Sequence, residues 1–440
     1  MRQQRQINQW IGSGIVALCL LLHPTASLAQ ALRPEVRDPF LADPLLDRPR
    51  DPLLPMPSIP RPLSPLEEAQ LEADLNALNA QAANLFQLGQ ADEAFDLWIR
   101  EVRLRRLLGT SQELTAIQRV GQQAWTSGRT QEVQLLTARL RVVRDQIKAA
   151  QPLNQELLQE TATGFEILGA PEDAIAIYQQ LSELALAEGE SLRHLLYLES
   201  VGQLQRQWFK FADAATTYRQ LALLVQDQQG QAATMLYLQQ AIRNYEQARQ
   251  FEPAISTQQE LMALYEAQAL RDPVPGLQRA MARNYEVLNN SDAASRYYQA
   301  SYTNAITLEQ FDVASQVIEE LARLYRSLNR LEDVLYLYQQ RLLVERKSYD
   351  GYGAMDSFDQ LGQTYEQLGQ PDQAVNAFRE GLVLATHLQH RQDYFREQIQ
   401  RLAPPPQEEI TIPGNAVPNQ PLPATLPLEE KPAASNEWQQ

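Results

Sequence analysis

Small residues recur every 40 residues along the central part of the chain. Ala374 marks the pattern most clearly, because successive steps of 40 back from it meet alanine or valine, and two further steps of 41 and 39 continue the series. The members of this series, used below as reference positions, are Ala94, Val133, Ala174, Ala214, Ala254, Ala294, Val334 and Ala374. Eight copies of one structural unit are therefore predicted over residues 66–402.

Each unit is predicted to contain two helices. An aromatic residue stands nine positions before the reference in five copies and four positions after it in six, and a small residue stands twelve positions before it in seven. Small residues let antiparallel helices approach closely, and aromatic rings fill the remaining space. Turns within units are marked by Gly89, Gly128, Gly169 and Gly369. The pattern thus predicts helices of about 18 residues joined by short turns.

The eighth unit, from Leu361 to Phe378, resembles a repeat of the tetratricopeptide (TPR) family. The residues at that family's small, aromatic and turn positions are Gly362, Tyr365, Gly369, Ala374 and Phe378. The resemblance implies packing roles for them and an all-α fold, a right-handed α-solenoid of about eight helix-turn-helix TPR-like repeats with a C-terminal capping helix near residues 390–402. The period of 40 departs from the family's 34 and predicts a longer second helix and a larger groove.

The first 29 residues are predicted to be a secretory signal peptide. Arg2 and Arg5 precede an apolar run at residues 11–22, and residues 27–29 read Ser-Leu-Ala, a small-x-small cleavage pattern. The run is shorter than the roughly 20 residues of a membrane-spanning helix, so an N-terminal anchor is the less favoured alternative. We expect an exported protein of the periplasm or cell envelope, with no stable membrane insertion after cleavage.

Residues 30–65 are predicted to form a proline-rich extended linker. Ten prolines fall between Arg33 and Pro65, and no helical apolar period accompanies them. An Asp-Pro-x-Leu motif recurs here, at residues 38–41, 43–46 and 51–54. The segment is either a semi-rigid spacer or a docking peptide, because a pre-extended backbone loses little entropy on binding. Beyond the array, residues 403–440 are predicted to be a disordered proline-rich tail.

The net charge and the motifs of the chain argue against several classes of function. The net charge of -16 argues against nucleic acid, which is bound by clustered Lys and Arg. The one cysteine, Cys19, lies in the predicted signal peptide, and His387 with His390 lacks further ligands at metal-binding spacing. No phosphate loop, nucleophile elbow or zinc-protease motif occurs. We therefore expect no enzyme activity, no catalytic residue, no cofactor and no metal site.

Polar residues at one position of consecutive units are the candidate partner-binding residues. Eleven residues before the reference stand Gln203, Arg243, Arg283, Arg323 and Gln363. The resemblance implies that this position faces the peptide groove, where arginines could hold carboxylates or carbonyl oxygens. The alternative is a solvated surface, because each arginine has a glutamate three or four residues away on its own helix, and such pairs contribute only about 0.3 to 0.5 kcal/mol.

Two functions remain open from the sequence. The first is an exported protein-protein interaction scaffold that presents the concave groove of a TPR-like superhelix to a peptide or protein partner. The alternative is a regulatory or adaptor subunit that docks an envelope enzyme or an assembly machine. The identity of the partner does not follow from the residues.

Overall fold

The computed structural model describes residues 32–47, 49–55, 63–226 and 230–402. Within these ranges the regular structure is helical, and no strand is present. The predicted all-α solenoid of helix pairs is confirmed. The predicted signal peptide at residues 1–29 and the predicted tail at 403–440 lie outside the described residues.

The described residues form eighteen α-helices, most of them of nearly equal length. In chain order they are α1 (Pro34–Leu41), α2 (Pro65–Gln87), α3 (Ala91–Arg105), α4 (Thr110–Thr126), α5 (Thr130–Ala149), α6 (Gln155–Ile167), α7 (Pro171–Ala187), α8 (Ser191–Gln207), α9 (Phe211–Gln226), α10 (Gln231–Gln247), α11 (Phe251–Ala267), α12 (Val274–Val287), α13 (Ser291–Thr307), α14 (Phe311–Ser327), α15 (Leu331–Ser348), α16 (Gly351–Gln367), α17 (Pro371–His387) and α18 (Gln392–Leu402). Short 3-10 turns occupy Pro44–Leu46 and Arg106–Leu108.

The chain divides into two compact units, Met1–Leu324 and Tyr325–Gln440. The first unit contains α1, the six consecutive helix pairs from α2/α3 to α12/α13, and most of α14. The second contains the end of α14, then α15, the pair α16/α17 and α18. From α2 to α13 in the first unit and from α15 to α18 in the second, consecutive helices pack against one another, so each helix pair buries its apolar face against its neighbours.

Small residues lie where paired helices approach most closely. A Cβ added to Gly362 of α16 would lie 2.6 Å from the Phe378 ring of α17, and both Phe378 and Ala374 are fully buried. In the first unit, a Cβ on Gly202 of α8 would lie 3.3 Å from the Tyr218 ring of α9. The recurring small and aromatic positions are thus two sides of one helix contact.

The turns place a residue in the left-handed backbone region, whether or not it is glycine. Gly369 has φ of 69°, whereas the corresponding turns of other units have Phe209 at 59° and Arg249 at 58°. A left-handed residue closes the end of a helix by allowing backbone hydrogen bonds back to its last turn, as Gln250 N–H makes to Tyr245 O at 2.9 Å. Helix ends therefore recur even where glycine is missing from the sequence.

Replacing Tyr349 by glycine is expected to stabilise the second unit by about 0.5 to 1 kcal/mol. Tyr349 follows α15 with φ of 59° and is 95% exposed, so glycine removes backbone strain without removing packing. The urea midpoint of the full chain measures the change. Tyr349→Ala retains the strain and is the matched control, so an equal gain in both variants would contradict this explanation.

The segment before α2 differs from the extended linker predicted for residues 30–65. Residues 34–41 are helical, with Pro34 in the first turn, where a proline is tolerated because that N–H has no helical partner. Phe40 and Leu54 are 5% and 4% exposed, so this segment is packed and not spacing. Leu54 joins a leucine cluster formed with α2 and α3. The number of prolines predicts a stiff backbone. It does not predict that the apolar residues between the prolines pack against the helices.

Candidate partner-binding surface

The repeat register places four of the predicted partner-binding residues on the first helices of consecutive pairs in the first unit. Gln203 lies on α8, Arg243 on α10, Arg283 on α12 and Arg323 on α14, and all four side chains are exposed. We call these four residues the groove row. Each follows directly after a buried residue of the helix contact, so the row borders the packed face of its helices.

Arg283 is held by a glutamate of the following helix pair. Its Nη2 donates to Glu320 Oε1 at 2.5 Å, and Arg279, one turn earlier, donates from Nη2 to the same oxygen at 2.7 Å. Burial by itself would raise the pKa of the Glu320 carboxyl, but hydrogen bonds from both arginines outweigh it and lower that pKa. Glu320 therefore joins two repeats as an ionised carboxylate.

Arg323 is paired in the opposite direction along the array. Its Nη2 lies 3.5 Å from Glu286 Oε2 of the preceding repeat, and Glu286 also accepts a hydrogen bond of 2.9 Å from Tyr298 Oη. The side chain of Arg323 remains 64% exposed. Arg283 and Arg323 thus form ion pairs with glutamates of neighbouring repeats. The spacing in the sequence indicated only glutamates on the same helix.

Arg243 and Gln203 have unused hydrogen-bonding groups. Neither side chain has an ion pair or hydrogen bond with any residue that the structure describes. Glu246, the expected same-helix partner of Arg243, instead accepts hydrogen bonds from Asn284 Nδ2 at 2.9 Å and Gln258 Nε2 at 3.1 Å. The Arg243 guanidinium therefore presents all its donors to solvent, where a ligand carboxylate or carbonyl could accept them.

Gln363, the fifth predicted residue, lies in the second unit and is half-buried. Its Nε2 donates to Asp359 Oδ1 at 3.0 Å, and Asp359 accepts in turn from Arg391 Nη2 at 2.6 Å. Tyr394 Oη donates to the same carboxylate at 2.8 Å. Gln363 is thus part of a local polar network that links α16 to α18 and to Arg391, the residue directly before α18.

Glu320→Gln is expected to lower the free energy of unfolding at neutral pH by about 1.5 to 3 kcal/mol, because two arginines lose their charged acceptor. The carboxyl pKa is lowered from 4.5 in the folded state, so its stabilisation is complete above about pH 4.5 and is lost as the pH falls through the folded pKa. Urea unfolding at pH 7 and pH 3 should show the difference between wild type and variant shrinking in acid. Glu252→Gln, at an exposed site on α11, is the control; a difference that persists unchanged at pH 3 would contradict the ion-pair account.

A further set of arginines, which the 40-residue pattern does not mark, lies in the second half of α3 and in the 3-10 turn that follows it. Arg100, Arg103 and Arg106 are spaced by three and contact the segment of residues 41–51. The spacing itself is a usable sequence signal, because residues three apart share a helix face. Asp47 and Asp51 upstream supply the complementary charge, and Asp51 belongs to an Asp-Pro motif.

Within the described residues, the histidine side chains contact nearby parts of the chain. His194 of α8 is buried, and its Nδ1 lies 2.8 Å from Ser182 Oγ of α7. His387 Nδ1 lies 2.8 Å from Val383 O in its own helix. Among the described residues, no group of three or more His, Cys, Asp or Glu side chains is placed to hold a metal ion.

A helix that crosses a bilayer needs about 20 mostly apolar residues. No helix within residues 32–47, 49–55, 63–226 and 230–402 is both long and apolar enough to cross a membrane.

No family model matches the chain, and no curated protein matches it either. Among solved structures, BtubC from P. vanneervenii is 16% identical over 56% of this chain and 99% of its own, with a TM-score of 0.36. A kinesin light chain from Podosopora anserina with nearly identical TPR-like repeats is 17% identical over 44% and 98%, with a TM-score of 0.35. A STAND signal-transduction ATPase with a TPR sensor from Pyrococcus horikoshii is 12% identical over 77% and 52%, with a TM-score of 0.38.

Proposed function

We propose that this chain, whose helix pairs resemble TPR repeats, is an exported, non-catalytic scaffold that binds a peptide or protein partner along the groove row. The observation that carries the proposal is the unused Arg243 guanidinium, next along the array to the exposed Gln203. Planar guanidinium groups bind carboxylates with two parallel hydrogen bonds and also donate to backbone carbonyl oxygens. An extended acidic peptide is therefore the favoured ligand.

The partner is proposed to reside in the periplasm or cell envelope. The support is the order of features at the N-terminus, in which Arg2 and Arg5 precede the apolar run at residues 11–22 and the Ser-Leu-Ala sequence at 27–29. A scaffold exported in this way would meet envelope proteins and not cytosolic ones. If that partner is an enzyme or an assembly machine, the same groove row would make the chain its adaptor subunit.

Capture from envelope extracts by the chain without residues 1–29, followed by mass spectrometry, tests this proposal. Arg243→Glu should weaken capture of the specific partner by about tenfold or more, since about 1.4 kcal/mol corresponds to a factor of ten. Arg346→Glu is the matched control, because Arg346 is also exposed and has no partner among the described residues, but lies on the second helix of its pair. Recovery of one enzyme favours the adaptor role, and recovery of several structural proteins favours the general scaffold.

Equal capture by the wild type and Arg243→Glu would contradict the proposal. Because Arg243 has no described partner within the protein, its replacement should leave the melting temperature nearly unchanged. The comparison of capture with melting temperature therefore separates a lost contact from a lost fold.

A further inference from the structure

Arg100 and Arg103 of α3 and Arg106 of the 3-10 turn that follows form a row, which we call the α3 arginine row. Arg100 binds Asp51 through two hydrogen bonds, from Nε to Oδ2 at 2.8 Å and from Nη2 to Oδ1 at 2.7 Å. Arg103 binds both carboxylate oxygens of Asp47, with Nη2 at 2.5 Å from Oδ1. Two-pronged pairing of this kind selects a planar carboxylate and fixes its direction.

Arg106 completes the row by binding backbone and ring groups instead of a carboxylate of the segment. Its Nη1 donates to Leu41 O and Ala42 O, each at 3.4 Å, and its guanidinium lies over the Phe40 ring at 4.7 Å from the centroid. Its side chain is only 7% exposed. The row therefore binds two carboxylates, an aromatic ring and the backbone carbonyls at the C-terminal end of α1.

Apolar contacts accompany the charged ones. Leu54 is buried against Leu71 and Leu75 of α2 and Leu104 of α3, with Leu53 at the edge of the same cluster. This pairing of a leucine pocket with a carboxylate-binding arginine is the arrangement by which short peptide motifs are held.

The Asp-Pro-Leu-Leu sequence folds into a turn that presents these groups together. Asp51 Oδ1 accepts from Leu53 N at 2.9 Å, and Asp43 Oδ1 accepts from Leu45 N at the same distance. Both copies also close a backbone hydrogen bond from the second leucine to the aspartate carbonyl, at 3.0 and 3.1 Å. The turn is therefore a property of the motif, but only the copy at residues 51–54 places its aspartate on an arginine of the row.

The bound segment leaves donors of the row unsatisfied. Arg103 Nε and Arg106 Nη2 are buried and have no hydrogen-bond acceptor among the described residues. A buried guanidinium N–H without an acceptor is unfavourable, so the described part of the segment satisfies the donors of the row only in part.

We propose that the α3 arginine row and its leucine pocket are a recognition site for acidic Asp-Pro-Leu-Leu peptides, filled in this protein by its own residues 41–47 and 49–54 and open to exchange with the same motif on a partner. The tethered segment competes through its high effective concentration, which for a short linker is in the millimolar range. Partner binding at this site thus requires release of the tethered copy. This site is separate from the groove row and its existence does not depend on that surface.

The test uses the full chain and a fluorescein-labelled synthetic peptide of residues 41–55. The variant Asp47→Asn with Asp51→Asn weakens the tethered copy, while asparagine keeps a side-chain oxygen for the Leu53 N–H. Fluorescence anisotropy should show the peptide binding this variant at least about tenfold more tightly than it binds the wild type, whose site is filled. Adding Arg100→Glu and Arg103→Glu to the same variant should abolish binding.

Exchanging the charges of peptide and protein separates a loss of binding from a loss of stability. A peptide carrying lysine at positions 47 and 51 should bind the chain with Arg100→Glu and Arg103→Glu, and should not bind the chain that retains both arginines. Circular dichroism before titration confirms that each variant is helical. Absence of peptide binding to the folded Asp47→Asn, Asp51→Asn variant, or equal binding with and without the arginines, would overturn the recognition site.

Discussion

Replacing Glu113 by alanine is expected to lower the free energy of unfolding of the first unit by about 3 to 5 kcal/mol. Glu113 of α4 is 2% exposed and accepts from Arg106 Nε at 3.0 Å and from Arg139 Nε at 2.6 Å. Burial lowers the pKa of Arg106 to about 10, with nearby Arg139 as a further cause. Without the carboxylate, two buried guanidinium groups would face each other uncompensated.

Urea unfolding followed by circular dichroism measures this loss. Glu93→Ala, an exposed glutamate in the first turn of α3, is the control and should change stability by less than about 0.5 kcal/mol. Replacing Arg106 and Arg139 by methionine together with Glu113→Ala should restore most of the stability, because no charge is then left buried. A loss below about 1 kcal/mol for Glu113→Ala alone would contradict the assigned role.

Phe378→Ala is expected to destabilise the second unit by about 3 to 5 kcal/mol, the usual result of removing a fully buried aromatic ring. Phe378 is 0% exposed, touches Gly362 of α16 and lies 6.4 Å, centroid to centroid, from Phe395 of α18. Hydrogen exchange should show the loss as reduced protection of α16, α17 and α18 amides. Protection of α4 and α5 in the first unit serves as the internal control, because repeats contact mainly their neighbours.

Replacing the glycine opposite this ring by alanine should change the stability in opposite directions, depending on whether the ring is present. A general weakening of the fold would not produce this reversal. Gly362→Ala alone should destabilise by about 1 to 3 kcal/mol, because its Cβ would lie 2.6 Å from the ring. In the Phe378→Ala background the space is empty, and the better helix propensity of alanine should stabilise by up to about 1 kcal/mol. The same sign in both backgrounds would show that the two positions do not share one contact.

The helix pairs could be predicted because their packing repeats in the sequence. Gly362 and Phe378 are sixteen residues apart in the chain but touch across the helix pair, and the same small and aromatic positions recur in other copies. The turns at Phe209 and Arg249 could not be found from glycine, since backbone hydrogen bonds at the helix ends hold non-glycine residues there in a left-handed conformation. Periodicity therefore predicts the packing faces better than it predicts the turn residues.

The charged contacts were only partly accessible from sequence. The position of Arg283 in its unit follows from the repeat, but its pairing with Glu320 depends on how successive repeats are stacked. The extended conformation predicted for residues 30–65 was wrong for residues 34–41 for a related reason. Proline content limits the backbone, whereas the docking of Phe40 and Leu54 is decided by surfaces of α2 to α5 that are formed only in the folded chain.

Photo-cross-linking from the groove row tests whether the first helices of the repeats contact the partner. A benzophenone amino acid is placed at position 203, beside Arg243 along the row, or at position 346 as the exposed control on a second helix, and the chain is irradiated with its captured partner. We expect a cross-link to the partner from position 203, lost when Arg243→Glu is added, and none from position 346. A partner that cross-links from 346 and not from 203 would contradict the claim that the first helices of the repeats form the binding surface.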